Sequence, residues 1–285
     1  MSDLFRAPRV CPASIVAWVG KKAQNLSQVY AFIGGRVAQV KVRHLDETGF
    51  RIAGKLWLHT TSSLAFTFYR AGEKRGAIPE DLKGGVVVHD HFAPYRGLDT
   101  VDHAFCNAHI LRELQSLIEF DAEPWAELMR DTLLDANLAV RAAREAGART
   151  LAPDEVEAFV ERYWAAIRLG LSYHRELPRC ETTATRLRRP KRRPGHNLAE
   201  RLKTFKTETL RFLTDFDVPF TNNLAEQDLR MMRVKMKISG SFQTVEGDQI
   251  FARLRSVVST ARKHGRNILQ ILTAGPDQLM RAFAA

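Results

Sequence analysis

One carboxylate and three cations recur at helical spacing in the segment PFTNNLAEQDLRMMRVKMKISG. Pro219 and the Thr221/Asn222 pair are typical of a helix start, and they lie just before these charged residues. The charged residues lie about 100° round the helix from an apolar stripe, and they are Glu226, Arg230, Arg233 and Lys237. A metal-binding glutamate beside cations that meet phosphates has this pattern. A solvated row of side-chain ion pairs has it too.

Two further acids follow β-like runs. Asp90 ends the apolar run GGVVVHD, and Asp46 ends the first β-like run, in HLDETGF. A carboxylate at the end of a buried strand is costly to desolvate unless something compensates it, and a metal ion does so. Either residue alone is also typical of a turn or cap. Periodicity does not decide between Asp46 and its neighbour Glu47, and Asp228 is a further alternative, about 200° from Glu226 on the helix.

Carboxylate oxygens select Mg²⁺ or Mn²⁺. With two such ions about 4 Å apart, one activates water or a 3′-hydroxyl and the other stabilises the leaving oxygen of a phosphodiester. Such a site needs no nucleophilic side chain. These acids therefore predict a two-metal phosphodiester chemistry.

Histidines and a cysteine flank the second acid. His103, Cys106 and His109 in HAFCNAH have metal-like spacing, but a structural zinc site usually has four protein ligands and the sequence offers no second pair. We interpret Cys106 as a small buried residue and His109 as a residue that orients or hydrogen-bonds near the acids. His89 and His91 flank Asp90; one of them, with His91 as our candidate, contacts the scissile phosphate, or both are structural.

Basic residues elsewhere predict contacts with phosphates. The run at 179–193 has a single acid and reads as an exposed linker or a phosphate-binding segment, with Arg188, Arg189, Arg192 and Arg193 as its candidates. ARKHGRN, near 261–267, is another candidate. Asn223 and its neighbour Asn222 contact DNA or cap the helix.

The overall charge agrees with a polyanionic partner. The 285 residues contain 43 Lys+Arg and 32 Asp+Glu, which gives a net charge of +11. Nucleic acid is the simplest such partner, although a basic enzyme of another kind has the same charge. The start lacks the apolar region of a secretory signal, no run suggests a membrane span, and the three cysteines are scattered. We expect a soluble protein of a reducing cytoplasm.

The elements that position these residues change in character along the chain. A helix is predicted over 13–38, followed by four β-like runs (VKVRHLDE, GFRIAG, KLWLHTT and LAFTFYR) and a short helix near 75–82. GGVVVHD and DHAFCNA read as strands, and 121–175 as entirely helical. Further helices are predicted at 197–213, 222–237, 246–264 and 267–283. This order predicts an α/β fold with a mixed sheet, flanked by helices and interrupted by an all-helical insertion.

Five blocks resemble, in order, the insertion-sequence 66 family of bacterial transposases. They are HLDETGFRIAGKLWLH, GVVVHDHFAPY, HAFCNAHILREL, VPFTNNLAEQDLRMMRVKMKISGSF and FARLRSVVSTARKHGRNIL, and they extend from about residue 40 to 275. The resemblance implies an RNase H-like core with Asp46, Asp90 and Glu226 as catalytic, metal-binding acids. It also favours Asp46 over Glu47, lends weight to the Cys106/His109 pair, and implies Mg²⁺ or Mn²⁺, two ions in all.

The resemblance implies strand cleavage and transfer at the ends of a mobile element. Its partners would be transposon ends and target DNA, and the protein would act as a homo-oligomer on DNA. The alternatives are a non-enzymatic DNA-binding remnant and an RNase H-like nuclease. The expected regions are an N-terminal helical remnant at 1–39, the first core part at 40–120, the helical insertion and basic linker at 121–196, and the C-terminal core part at 197–285. Because few residues precede the first block, we expect a chain truncated at its N-terminus, located at the nucleoid.

Overall fold

The structure is a computed structural model that describes residues 10–51, 55–77, 82–178, 192–240 and 244–284. These residues form two compact units. The first contains the described residues up to Gly85, residues 93–101, and those from Asn223 onward. The second contains Val86–Phe92 and Asp102–Asn222.

Two helices come first, the strands follow with one short helix among them, and the remaining described elements are helices. The elements are α1 (Pro12–Asn25), α2 (Ser27–Ala38), β1 (Val42–Arg51), β2 (Lys55–Ser62), β3 (Thr67–Gly72), β4 (Val86–His89), α3 (Ala93–Arg96), β5 (Asp102–Phe105), α4 (Asn107–Ser116), a π-helical turn (Leu117–Asp121), α5 (Pro124–Glu145), α6 (Pro153–Glu176), α7 (Pro194–Thr204), α8 (Lys206–Thr214), α9 (Asn223–Ser239), α10 (Val245–Lys263), α11 (Ile268–Thr273) and α12 (Pro276–Ala284).

The strands of the first unit form an antiparallel meander in the order β3-β2-β1. Asp46 lies opposite Thr60, which lies opposite Tyr69. The run GFRIAG is not a separate strand, because Gly49–Arg51 continue β1. Asp46 therefore lies inside a strand, and the expectation that it ends one was wrong.

Two apolar clusters cover this meander. In one, Ile33 of α2 and Val257 of α10 are fully buried together with Phe283 of α12. In the other, Leu229 and Met232 of α9 pack with strand residues that include Leu58 and Tyr69. The apolar stripe predicted for α9 is thus its buried face.

The second unit combines one parallel strand pair with a large helical core. β4 and β5 pair in parallel, with His89 opposite Phe105. The core of this unit is built around Trp125 of α5 and Tyr163 of α6, which are fully buried. Among its described residues, those from Asn107 onward form no strand, as the sequence predicts.

Several boundaries differ from the sequence prediction. The helix expected near 75–82 is absent from the described part, since 73–76 form bends and turns and 77 is irregular. Residues 78–81 lie outside the described residues. Three expected helices are each divided into two, at Leu26, at Phe205 and at Ala274–Gly275. None of the described helices is long and apolar enough to cross a membrane.

Candidate active site

The charged face of α9 forms one wall of an open groove. Glu226, Arg230, Arg233 and Lys237 all line this groove, whose volume is about 340 Å³, together with Asn223, Gln227 and Val234. We call it the acid groove. The opposite face of α9 is anchored in the apolar cluster by Leu229 and Met232, so the charged face has a fixed direction. The prediction that these four side chains share one surface is confirmed.

Asp46 lies beside this face. Its Oδ1 accepts a hydrogen bond of 2.8 Å from the backbone N–H of Glu47, and its Oδ2 lies 3.9 Å from Nη2 of Arg233. The side chain of Asp46 is 19% exposed and that of Arg233 is 51% exposed. The first unit therefore brings Asp46 to the helix face that contains Glu226.

Glu47 has a structural role in this unit. Its carboxylate accepts hydrogen bonds of 2.7 Å from Arg75 Nε and from the hydroxyl of Tyr95, and the side chain is only 6% exposed. His59 Nδ1 lies 3.8 Å away, and burial lowers the pKa of His59 although the negative charge of Glu47 opposes this. Neighbouring strand residues point to opposite faces, so the contacts of Glu47 and Asp46 differ.

Asp228, the other alternative, is also engaged in the fold. Its Oδ2 accepts hydrogen bonds from the hydroxyls of Ser62 (2.6 Å) and Thr67 (2.9 Å), and it forms an ion pair of 2.8 Å with Lys263. Burial lowers the pKa of Lys263, and the adjacent carboxylate of Asp228 opposes that shift. Asp228 thus fastens α9 to the meander and to α10.

Asp90 lies in the second unit, directly after β4, and is half-buried. Its Oδ1 accepts a hydrogen bond of 3.0 Å from the backbone N–H of Phe92, an Asx-type turn that fixes the carboxylate. The interpretation of Asp90 as a turn residue is therefore correct for one of its two carboxylate oxygens. The carboxylate keeps further lone pairs that can accept from another donor or bind a cation.

The histidines near Asp90 have different surroundings. His89 is fully buried, and its Nε2 lies 2.9 Å from Nδ1 of His103. The ring of His91 packs on the rings of Phe105 and Phe205, at centroid distances of 4.3 and 4.9 Å. His89 is thus a core residue.

Cys106 is buried, as the sequence predicts. Its Sγ accepts a hydrogen bond of 3.1 Å from the backbone N–H of Asn222, and its own N–H donates to the carbonyl of His89. A ligand nitrogen of His109 lies within 4.8 Å of this Sγ. The Cys106/His109 pair is therefore close enough to act together, whereas His103 is directed to His89.

The predicted DNA-binding arginines divide into two groups. Arg188 and Arg189 lie outside the described residues. Arg192 is exposed, and Arg193 donates a hydrogen bond of 3.0 Å to the carbonyl of Pro178 just before α7. Asn223, the first residue of α9, is exposed and lines the acid groove.

The donor atoms of the three acids suit a hard cation. Asp46, Asp90 and Glu226 offer carboxylate oxygens, which are the preferred ligands of Mg²⁺ and Mn²⁺. All three side chains are partly accessible rather than enclosed. Each residue is therefore a candidate ligand for such an ion.

A sequence model of the family described as Transposase IS66 family matches residues 7–250. This range begins well before residue 40, where the resemblance of the blocks begins, and it contains all three candidate acids. No curated protein and no solved structure matches the chain.

Proposed function

This chain belongs to the IS66 family of transposases, and on that premise we propose that it catalyses metal-dependent cleavage and transfer of DNA strands at the ends of an insertion sequence. The proposed catalytic residues are Asp46, Asp90 and Glu226. The proposed fold of the core is RNase H-like. Its DNA substrate would locate the protein at the bacterial nucleoid.

The observation that carries this proposal is the charge arrangement of α9. Glu226 lines the same groove as Arg230, Arg233 and Lys237, and Arg233 lies 3.9 Å from the carboxylate of Asp46. Cations beside two accessible acids suit a phosphodiester, because the cations offset phosphate charge while the acids hold metal. A merely solvated helix face would not require a second acid from β1.

The chain's own residues have separate roles in this proposal. Asp46, Asp90 and Glu226 hold two Mg²⁺ or Mn²⁺ ions, and the bound ions supply an activated nucleophile and stabilise the leaving oxygen. The cations of the acid groove hold the DNA backbone, as do Arg192 and Arg193 with the neighbouring Arg188 and Arg189. The Asx-type turn at Asp90 fixes its carboxylate, and His91, Asn223 and the Cys106/His109 pair support the site.

A cleavage assay tests the activity itself. Labelled duplexes carrying a terminal repeat of the host element, or a scrambled repeat, are incubated with the protein in Mg²⁺, in Mn²⁺ or in EDTA. We expect metal-dependent nicks at the repeat boundary and, with added target DNA, joined products. Nicks without joining in any condition would indicate a nuclease of the same fold.

The alternative is a DNA-binding remnant without enzymatic activity, which the net charge of +11 also favours. It predicts salt-sensitive binding with no product in any metal. Strand transfer also requires two ends, and we propose that the protein acts as a homo-oligomer on DNA. Protein mass measured by light scattering with and without paired-end DNA would test this.

A further inference from the structure

A second groove lies on the neighbouring side of α9, between this helix and α10. Its volume is about 390 Å³. We call it the α9–α10 groove, and the residues that matter here are Asp228 and Arg230 of α9 with Arg255, Ser259, Arg262 and Lys263 of α10. All of them lie in the first unit.

Arg230 lines both this groove and the acid groove. It is exposed and lies one helical turn after Glu226. A chain of phosphates that passes Arg230 can therefore contact both grooves. The two grooves form adjoining surfaces around one helix.

The α9–α10 groove has an excess of positive charge. Its single acid, Asp228, is neutralised by Lys263 at 2.8 Å and accepts hydrogen bonds from two hydroxyls. In the described part of the chain, no carboxylate lies within ion-pair distance of Arg230, Arg255 or Arg262. Three guanidinium groups therefore stand without a counter-charge from these residues.

Arg255 is partly buried at this groove, and its side chain interacts with that of Tyr69. Its Nε atom is buried and, within the described ranges, has no hydrogen-bond partner. A buried donor left unpaired costs about 1–3 kcal/mol, and such groups are rare in folded proteins. A phosphate oxygen in the groove would accept a charge-assisted hydrogen bond from the guanidinium.

We propose that the α9–α10 groove is a second phosphate-binding site, which holds the DNA backbone beyond the segment bound in the acid groove, with Arg255 and Arg262 as its principal contacts. This inference rests on the proposed function, since it assumes that DNA occupies the acid groove. The site reads no base sequence, because guanidinium–phosphate contacts fix position only. Its contribution is to affinity and to the alignment of the strand.

The test is the salt dependence of DNA binding by the full chain, measured by fluorescence anisotropy in EDTA with a labelled duplex that extends beyond the terminal repeat. The variants are Arg255→Gln/Arg262→Gln, the charge-conserving Arg255→Lys/Arg262→Lys, and Arg281→Gln as a control on an exposed position of α12. Each lost phosphate contact lowers the slope of log affinity against log salt by about one. We expect a decrease of about two for the Gln pair, and unchanged slopes for the Lys pair and for Arg281→Gln.

A slope for the Gln pair equal to that of the wild type would overturn the inference. So would an equal loss in the Lys pair, because ammonium groups also neutralise phosphates. The cleavage assay of the wild type is read independently. If the wild type cleaves DNA but the Gln pair has an unchanged salt slope, only the proposed role of the α9–α10 groove is refuted. If the Gln pair has a lowered salt slope but the wild type does not cleave, that role is supported and the proposed activity is refuted.

Discussion

The guanidinium of Arg233 lies 3.9 Å from the carboxylate of Asp46. The arginine comes from α9 and the acid from β1, so the pair joins the cationic helix face to the strand of the meander that carries the proposed first acid. Because Arg233 is half exposed, the pair contributes little to stability. Its effect is on charge at the site.

Replacing Arg233 by Gln should change metal binding and DNA binding in opposite directions. Loss of a nearby positive charge favours a cation at Asp46, so we expect Mn²⁺ affinity to rise by about twofold to fivefold, as a screened charge pair corresponds to up to about 1 kcal/mol. DNA affinity should fall and its salt slope should decrease by about one. Titration with Mn²⁺ and anisotropy with DNA measure the two effects. A simultaneous decrease in both affinities would contradict this role.

Asp228 is expected to be a stability residue rather than a catalytic one. Replacement by Ala removes the counter-charge of the largely buried Lys263, which keeps only its bonds to the carbonyls of Ser63 and Phe66, and leaves two hydroxyls without their acceptor. The free energy of unfolding should therefore fall by about 2–4 kcal/mol. The double variant Asp228→Ala/Lys263→Met removes both charges and should recover part of that loss. Urea unfolding measures both variants. Equal stability of wild type and Asp228→Ala would show that the buried ion pair has no such role.

Asp248 should make the first unit less stable as pH rises. Its carboxyl is fully buried at the start of α10, and among the described residues neither oxygen has a hydrogen-bond partner. Burial raises its pKa from 3.8 to about 7. The folded state therefore holds a proton that the unfolded state releases above about pH 4, and the stability present at low pH is lost as pH approaches 7.

Asp248→Asn removes this dependence. We expect the variant to gain about 2 kcal/mol more, relative to wild type, at pH 8 than at pH 5.5, since one pKa unit corresponds to about 1.4 kcal/mol. Thermal unfolding at the two pH values measures the difference. Glu246→Gln, an exposed position in the same turn, serves as the control and should show no such change. An identical effect of Asp248→Asn at both pH values would refute the prediction.

Two helical glycines should respond oppositely to Ala. A Cβ at Gly170 of α6 would lie 2.6 Å from Cδ2 of the buried Trp125, whereas a Cβ at Gly35 of α2 would have nothing within 4 Å. Gly170→Ala should destabilise the protein by about 1–3 kcal/mol through overpacking. Gly35→Ala should stabilise it by up to about 1 kcal/mol, because Ala favours the helix. Unfolding midpoints decide, and a gain at Gly170 would contradict the close packing.

Periodicity predicted the buried and charged faces of α9 well, but it predicted the course of the strand that contains Asp46 poorly. The buried stripe at Leu229 and Met232 and the opposite charged face follow from helical spacing alone. The continuation of β1 through Gly49 was missed, since a Thr-Gly pair also signals a turn. The breaks at Leu26 and Phe205 have no Gly or Pro to announce them.

The candidate site was predictable only in part. Sequence spacing left Asp46 and Glu47 equivalent, and it is the contacts of Glu47 with Arg75 and Tyr95, distant in sequence, that distinguish them. Arg255 of the second groove also escaped, although Arg255, Ser259 and Arg262 keep helical spacing and Arg262 lies in the candidate segment ARKHGRN. Nothing in that spacing indicated that α9 lies alongside.

The central claim is that Asp46, Asp90 and Glu226 hold the catalytic metal, and their neighbours do not. The most direct measurement is single-turnover cleavage of terminal-repeat DNA in Mg²⁺ by Asp46→Asn, Asp90→Asn and Glu226→Gln, beside the matched control Glu47→Gln. Losing a metal ligand removes several kcal/mol of transition-state stabilisation, so each of the three should be at least about 100-fold slower. All three should still bind DNA, and Glu47→Gln should cleave within a few-fold of wild type. Wild-type cleavage rates in any of the three, or a loss confined to Glu47→Gln, would contradict the account.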